Sequence, residues 1–144
     1  MIINYKYSED EILKQLKTYI DKTYGEHYSK NKFQSTEFII DSGHGEGFCI
    51  GNIMKYAQRY GRKAGKNRVD LMKIIHYAII AIHNNDLEMK KNEVELNSGL
   101  SAFEAKHFSR AMQLLSPLAE EGNTEAQHRL SLIHISEPTR RTPI

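Results

Sequence analysis

The sequence predicts an all-α protein: a small helical bundle with a central helical hairpin, followed by a C-terminal helix pair. Apolar side chains recur every three or four residues over several segments, which is the helical period. Few segments alternate with the period of two that is typical of strands. Apolar residues make up 40% and charged residues 26% of the chain, so the composition is that of a folded protein.

Hydropathy and cysteine content exclude several classes of protein. No stretch approaches the roughly 18 uninterrupted apolar residues of a membrane helix, and the first ten residues lack the apolar segment of a signal peptide. The single cysteine, Cys49, can form neither an internal disulfide nor a multi-cysteine zinc site. We therefore expect a cytoplasmic protein that does not engage a membrane.

Composition changes along the chain and divides it into unlike segments. The eight tyrosines all precede residue 78, and the three prolines all follow residue 116. About 85 residues bury limited apolar surface unaided, so we expect the first domain to form a homo-oligomer, with an active site shared across a dimer as a hypothesis. The polar stretch Asn84–Ser98 is interpreted as a linker or a solvated helix extension. The expected segments are a helical domain over residues 1–88, a linker over 89–98, a partial helical repeat over 99–133 and a disordered tail over 134–144.

Local signals place the first two helices. Ser8 followed by Glu11 is a capping-box pair, which predicts the start of a first helix that Gly25 ends. A short second helix is expected over about residues 35–42. The glycines of the segment 43–47 then predict a flexible turn between helices.

The central hairpin is predicted from two segments with apolar stripes. We expect a third helix over about residues 48–60 and a fourth helix of about sixteen residues that Asn67 can cap. The two stripes are expected to form the buried faces of the hairpin. Their members are Ile50, Ile53, Met54 and Ala57 on the third helix and Leu71, Ile74, Ile75, Ala78, Ile79 and Ile82 on the fourth.

The informative polar side chains lie opposite these stripes. On each helix, three of them share one face by their spacing. They are Asn52, Lys55 and Arg59 on the third helix and Asp70, Lys73 and Tyr77 on the fourth, and the joining loop adds Arg62, Lys63, Lys66 and Arg68. A helical hairpin would bring both faces and the basic loop close together. Such a surface suits the phosphates of a small polyanion.

Three interpretations of this basic hairpin remain open. It is a solvated helix face, a nucleic-acid surface on which tyrosines stack bases, or a nucleotide pocket. The mixture of Asn, Asp and Tyr among the cations favours the pocket. The loop Gly61–Asn67 is not a phosphate-binding P-loop, because only three residues separate its glycines and because it follows a helix instead of a strand.

Other candidate residues surround the short second helix. Glu37 and Asp41 are four residues apart, a spacing suited to a magnesium ion carried by a nucleotide, although two exposed carboxylates are an equal alternative. His27 and His44 flank this helix as candidate phosphate ligands or proton carriers. Cys49 lies next to an apolar stripe and is interpreted as a core residue.

The segment from Phe48 to Lys63 resembles the signature of a small helical phage family that contains nucleotide kinases and proteins of unknown function. That family combines a His-Tyr pair, a Glu on a short helix, Gly-Asn-x-x-Lys-Tyr-x-x-Arg, a Gly-x-Lys loop, and Asp-Leu-x-Lys followed by an aromatic residue. The resemblance covers about residues 8–85 in the order of the family. The matching residues are His27, Tyr28, Glu37, Gly51, Asn52, Lys55, Tyr56, Arg59, Gly61, Lys63, Asp70, Leu71, Lys73 and Tyr77.

The chain departs from the family pattern at two places. Gln34, Ser35 and Thr36 stand where the family has Pro-Ile or Gly-Ile before the helical Glu, and the glycine turn at residues 43–47 is not a general feature of the family. Both departures bear on the choice of substrate more than on the fold.

The resemblance implies transfer of a phosphoryl group from ATP to a (deoxy)nucleoside monophosphate by a kinase without a Walker motif, in the cytoplasm of the host cell if a phage encodes it. Magnesium would arrive with the nucleotide, and no tightly bound cofactor is expected. The alternatives are a non-catalytic nucleic-acid-binding module and a protein-interaction scaffold. The expected catalytic residues are Glu37, Lys55, Arg59 and Asp70. The expected phosphate- or substrate-binding residues are His27, Tyr28, Asn52, Tyr56, Lys63, Lys73 and Tyr77. The expected ligands of a magnesium ion that a nucleotide carries are Glu37 and Asp41.

The C-terminal residues carry two further resemblances. Residues 108–127 resemble a single Sel1-like repeat of the tetratricopeptide type, which is the basis of the scaffold alternative. A single repeat of this class cannot bury its apolar face alone. Residues 131–144 resemble an out-of-frame translation of sequencing-adapter DNA, so this tail is excluded from functional reasoning.

Overall fold

The computed structural model describes residues 2–28 and 32–136, and within these the side chains of residues 2–26 and 35–136. These residues form helices and contain no strand, which confirms the all-α class. The helices are α1 (Glu9–Tyr28), α2 (Lys32–Ile39), a π-helical turn (Ile40–His44), α3 (Gly45–Arg59), α4 (Arg68–Glu104), α5 (Phe108–Glu120) and α6 (Thr124–Ser136).

The chain divides into two compact units, Met1–Asp86 and Leu87–Ile144, and the division falls within α4. The fourth helix is therefore far longer than predicted, at 37 residues. Of the two interpretations of residues 89–98, a linker or a helix extension, the structure shows the helix. This segment contains no proline and no glycine, so nothing in it interrupts the backbone hydrogen bonds of the helix.

α1 begins at Glu9, directly after Ser8, so the predicted start of the first helix is confirmed, whereas its capping box and its predicted end are corrected. Ser8 has a φ of +56°, whereas a capping residue adopts an extended conformation. The carboxylate of Glu11 accepts a hydrogen bond from the Gln15 amide one turn later, at 2.9 Å, which is a contact along the helix surface. Gly25 does not end the helix, because α1 continues to Tyr28.

The predicted flexible turn at residues 43–47 is largely helical. The π-helical turn Ile40–His44 leads directly into α3, and Gly43, with a φ of +84°, provides the break between them. A Cβ atom on Gly45 would lie 3.1 Å from the side-chain oxygen of Asn84, so glycine allows the start of α3 to approach α4.

The predicted helical hairpin is confirmed, and its helices are antiparallel. Gly45 at the start of α3 approaches Asn84, whereas Arg59 at the end of α3 contacts Asp70 in the first turn of α4. Asn67 caps α4 as expected, because its side-chain oxygen accepts a hydrogen bond from the backbone N–H of Val69 at 3.0 Å.

The face of the hairpin that was predicted to be buried is instead largely exposed. Ile50 and Met54 on α3 are 45% and 65% exposed. We use the name α4 stripe for four exposed apolar residues that share one face of α4 in the first unit, namely Leu71, Ile75, Ile79 and Ile82. The buried side chains of this unit are Leu16, Cys49, Tyr56, Asp70, Met72 and Asn84.

The packing of α1 explains this correction. The rings of Tyr19 and Tyr24 on α1 contact the imidazole of His76 on α4, with centroids 6.3 and 6.5 Å apart. Gln15 of α1 accepts a hydrogen bond from the guanidinium of Arg68 at 2.6 Å. Because tyrosine rings supply large apolar areas, the face that carries them is buried in preference to the aliphatic stripe.

The second unit has an apolar core, and it lies where the sequence placed it. Gly99 brings α4 and α5 together, because a Cβ atom there would lie 2.4 Å from Cδ2 of Leu115. The fully or nearly fully buried side chains are Ala102, Ala111, Leu115, Leu118, Ala126 and Ile133, with Phe103, Phe108 and Leu130 packed against them.

Two tight backbone turns separate the helices of this unit. Apolar residues at helical spacing from Ala102 to Ala119 predict one continuous helix, but Lys106 takes a φ of +60° and ends α4. The N–H groups of Lys106 and His107 then bond the carbonyls of Phe103 and Ala102, which satisfies the end of the helix. The predicted break at Gly122 is confirmed, with a φ of +96°.

The C-terminal prediction is corrected in part. His134 to Ser136 complete α6, so the predicted tail does not begin at residue 134, and the remaining tail residues 137–144 lie outside the described part of the chain. Over the residues that the structure describes, no helix has both the length and the apolar character that crossing a membrane requires.

Candidate functional site

Three cations converge on the ring of Tyr56 in the α3–α4 hairpin. The ammonium groups of Lys55 and Lys73 each lie 4.9 Å from the ring centroid, and the guanidinium carbon of Arg59 lies 5.9 Å from it. The two ammonium groups are therefore separated by at most twice 4.9 Å. The ring attracts each cation, but the three cations repel one another.

A buried carboxylate supplies the counter-charge. Asp70 is 1% exposed, and its Oδ1 lies 3.5 Å from Nε of Arg59. Among the residues that the structure describes, neither carboxylate oxygen of Asp70 has a hydrogen-bond partner, and Nε of Arg59 also lacks one. The distance of 3.5 Å is longer than that of a good hydrogen bond, so the attraction between Arg59 and Asp70 is mainly electrostatic. Both carboxylate oxygens of Asp70 can still accept a hydrogen bond.

A second tyrosine stacks on the first. The rings of Tyr56 and Tyr77 have centroids 6.0 Å apart and an angle of 18° between their planes, and Phe48 meets Tyr77 edge-on at 5.8 Å. Burial and, to a smaller extent, the neighbouring Tyr56 raise the pKa of Tyr77, so its hydroxyl stays protonated. We name the six residues together the cation–tyrosine cluster: Lys55, Tyr56, Arg59, Asp70, Lys73 and Tyr77.

The basic loop continues the positive surface beyond this cluster. Arg62, Lys63 and Lys66 are exposed, and the N–H groups of Arg62 and Lys63 bond the carbonyl of Arg59 at the end of α3. Gly61 and Gly65 have positive φ values, which allow the loop to turn directly into α4. The loop therefore holds its cations next to the helix end that carries Arg59.

The remaining predicted site residues stand apart from these contacts. Asn52 is half-buried, and its amide donates to the carbonyl of Phe48 one turn earlier. Glu37 on α2 and Asp41 in the π-helical turn are exposed, and no contact described above joins either of them to the cluster. The side chains of His27 and Tyr28 lie outside the described residues.

Among the described residues, no group of three or more His, Cys, Asp or Glu side chains is placed to hold a metal ion. The structure therefore does not support a magnesium site built from protein side chains alone. A magnesium ion carried by a nucleotide needs only one or two carboxylates, which Glu37 and Asp41 still offer by residue type. Cys49 is buried, and burial raises the pKa of its thiol, as fits the core role expected from the sequence.

Sequence reasoning missed the aromatic surroundings of the cluster. Spacing along the sequence does not single out Phe48 as a site residue, yet Phe48 packs on Tyr77. Tyr19 of α1 lies against His76 of α4, and burial raises the pKa of its hydroxyl. The crowding of all tyrosines into the first part of the chain was the available signal.

Comparisons with known proteins find one family to which part of the chain is similar, and no function. Residues 22–79 match a family described as a protein of unknown function, DUF3310. This range contains α3, the basic loop and all six residues of the cation–tyrosine cluster. No curated protein and no solved structure matches the chain.

Proposed function

We propose that the cation–tyrosine cluster binds the phosphates of a nucleotide, and that the protein is a (deoxy)nucleoside monophosphate kinase. The observation that carries the binding proposal is the convergence of three cations on Tyr56 with one buried carboxylate, Asp70, beside them. A phosphate group would relieve the repulsion among Lys55, Arg59 and Lys73 and would accept their N–H groups.

The tyrosines support a nucleotide over a simple phosphate ion. Tyr56 and Tyr77 present stacked rings beside the cations, and a nucleobase can pack on such rings. Asp70 would hold Arg59 in place by its charge, and Lys63 in the adjacent loop would reach the outer phosphate. These are positioning and electrostatic roles, which supply most of the catalysis in phosphoryl transfer.

The kinase proposal rests on the resemblance to the phage family and on this chemistry. An oxygen of the monophosphate acceptor would attack the γ-phosphorus of ATP, the bond between that phosphorus and the bridging oxygen of ADP would break, and two nucleoside diphosphates would form. Lys55, Arg59 and Lys73 would neutralise charge on the transferring group. A magnesium ion bound to ATP would add to that neutralisation when present.

A two-part experiment tests binding and transfer separately. Calorimetric titration with nucleoside mono-, di- and triphosphates, with and without magnesium, is expected to show binding that Lys73→Gln weakens about tenfold, as loss of a charge-assisted hydrogen bond predicts. Lys14→Gln, an exposed lysine of α1, is the matched control and leaves the affinity unchanged. Binding that is equal in all three proteins would refute the placement of the site.

Transfer is measured with radiolabelled ATP and the common nucleoside monophosphates. The wild-type protein is expected to form labelled diphosphates, and Arg59→Ala is expected to lower the rate by at least about tenfold. Absence of transfer by a protein that still binds nucleotides would remove the kinase proposal and leave the binding proposal intact.

The exposed cations of the loop favour nucleic acid as a second candidate ligand. Arg62, Lys63, Lys66 and Arg68 are all exposed, as side chains that contact a phosphate backbone must be. If this candidate is correct, oligonucleotides bind with a steep dependence on salt concentration, whereas mononucleotides do not bind.

A further inference from the structure

The α4 stripe is an apolar surface that the first unit leaves uncovered. Leu71, Ile75, Ile79 and Ile82 are 39%, 36%, 42% and 60% exposed. Single exposed apolar residues are common on proteins, but these four follow one another along a single face at helical spacing. A continuous apolar row of this kind is typical of an interaction surface.

Two opposite charges bracket this stripe. Arg68 and Asp86 are 18 positions apart, which is about five full turns, so both lie on the same side of α4. Ile75 and Ile79 lie 7 and 11 positions after Arg68, which puts them on that same side. Both charged residues are exposed.

The arrangement is nearly symmetric about its centre. Ile75 is as far from Arg68 as Ile79 is from Asp86, and only the signs of the two terminal charges differ. If a second α4 is laid against the first in the opposite direction, unlike charges meet at both ends. If it is laid in the same direction, like charges meet at both ends. The pattern therefore favours an antiparallel pair of identical helices.

We propose that the α4 stripe is the contact surface of an antiparallel homodimer of this chain. Ile75 packs against Ile79 of the partner subunit, Leu71 against Ile82 of the partner subunit, and Arg68 pairs with Asp86 of the partner subunit. A two-fold axis doubles each of these contacts. Arg68 already donates one hydrogen bond to Gln15, but a guanidinium carries five donors and can serve both groups.

The chemistry of the stripe argues for a second copy over other occupants. A membrane-surface helix carries many cations beside its apolar face, whereas the charged residues beside the α4 stripe are one cation, Arg68, and one carboxylate, Asp86. The charges at the two ends of the α4 stripe are complementary to those of a second α4 stripe in the opposite direction. This self-complementarity favours a second copy of the chain over an unrelated protein. One helix face is smaller than the about 800 Å² that each partner buries in a standard interface, so we expect a dissociation constant on the order of micromolar.

Sedimentation equilibrium of the full chain tests the proposal. The wild-type protein is expected to be dimeric at about 100 μM, well above a micromolar dissociation constant. Ile79→Glu is expected to raise that constant at least about tenfold, because it places a carboxylate in the apolar contact. Leu13→Glu is the matched control, since it adds the same charge at a 62% exposed residue of α1, the helix that packs against the opposite face of the hairpin, and leaves the dimer intact. A monomeric wild-type protein overturns the proposal.

Charge exchange tests the pairing itself. Arg68→Glu and Asp86→Arg are each expected to weaken the dimer several-fold, because each places like charges in contact. The double variant restores unlike pairs and is expected to recover wild-type association. A double variant that associates more weakly than either single variant contradicts the Arg68–Asp86 contact.

Thiol cross-linking tests the direction of the helices. Leu71→Cys mixed with Ile82→Cys is expected to cross-link efficiently with a short bismaleimide, because the two positions face each other. Either variant alone is expected to cross-link poorly, since equivalent residues are then about 15 Å or more apart along the helix axis. Efficient cross-linking of Leu71→Cys with itself would show a parallel pair. All these measurements omit nucleotides, so they are independent of the proposed function.

Discussion

The two units of this chain differ in whether they bury polar side chains. The second unit encloses Leu115, Ile133 and small alanines, and no charged residue is among its buried side chains in the described part of the chain. The first unit encloses Asp70, Asn84 and Tyr56, while the isoleucines of the α4 stripe remain exposed. The first unit therefore buries polar groups beside Leu16, Cys49 and Met72, whereas the second buries apolar side chains.

This difference separates stability from function. A core of aliphatic side chains gains its free energy from removing apolar area from water. A core that holds a carboxylate without hydrogen bonds is costly, and such groups cluster where a protein binds or transforms a ligand. We infer that the second unit contributes most of the free energy of unfolding, whereas the buried carboxylate of the first unit lowers that unit's stability.

The largest expected effect is the loss of packing in the second unit. Leu115→Ala is expected to lower the free energy of unfolding by about 2–5 kcal/mol, because Leu115 is fully buried and its removal leaves a cavity. Ile135→Ala, at an 80% exposed residue of α6, is the control and is expected to stay within about 0.5 kcal/mol. Urea denaturation measures both values, and equal effects would contradict the core described here.

The next effect concerns the buried ion pair of the first unit. Arg59→Ala is expected to cost roughly 1–3 kcal/mol, because it leaves the Asp70 carboxylate buried without its counter-charge. Arg59→Ala combined with Asp70→Ala is expected to cost less than the sum of the two single changes. Strict additivity in this double-mutant cycle would show that the two side chains do not interact.

A smaller effect is expected from adding a methyl group at glycine. Gly99→Ala is expected to cost about 1–2 kcal/mol, because the new Cβ would lie 2.4 Å from Leu115 and its clash exceeds the gain in helix propensity. Gly51→Ala is the counterpart in the first unit, where nothing lies within 4 Å of such a Cβ. That change is expected to stabilise α3 by up to about 1 kcal/mol; a stabilising Gly99→Ala would refute the close helix approach.

The smallest effect is a dependence of stability on pH. Burial between the tyrosines of α1 lowers the pKa of His76 below its usual 6.5. The unfolded chain therefore binds a proton more readily than the folded chain, so stability decreases as the pH falls below about 6.5 and this loss is complete below the folded pKa.

Thermal unfolding at about pH 7.5 and pH 5 measures this effect on either side of the usual histidine pKa. His76→Gln is expected to lose less stability on acidification than the wild-type protein. His83→Gln, at an exposed histidine of the same helix, is the control and should behave as the wild type. Identical pH profiles for wild type and His76→Gln would rule out a contribution from His76.

The candidate site was partly predictable from spacing. Asn52, Lys55 and Arg59 share a helix face, as do Asp70, Lys73 and Tyr77, and the hairpin does bring most of them together around Tyr56. Spacing could not predict that Asp70 loses all contact with water or that the Tyr56 and Tyr77 rings stack. Both depend on the distance between two helices, which sequence position does not encode.

The sequence by itself determined the all-α class, the caps at Asn67 and Gly122 and the aliphatic core of the second unit, because these follow from local backbone preferences and from a single dominant apolar face. The tertiary structure decided which face of the central hairpin is buried. Both faces could bury apolar area, one through isoleucines and the other through tyrosine rings and the aliphatic stems of lysine and arginine. Only the packing of α1 against the tyrosine face selected between them.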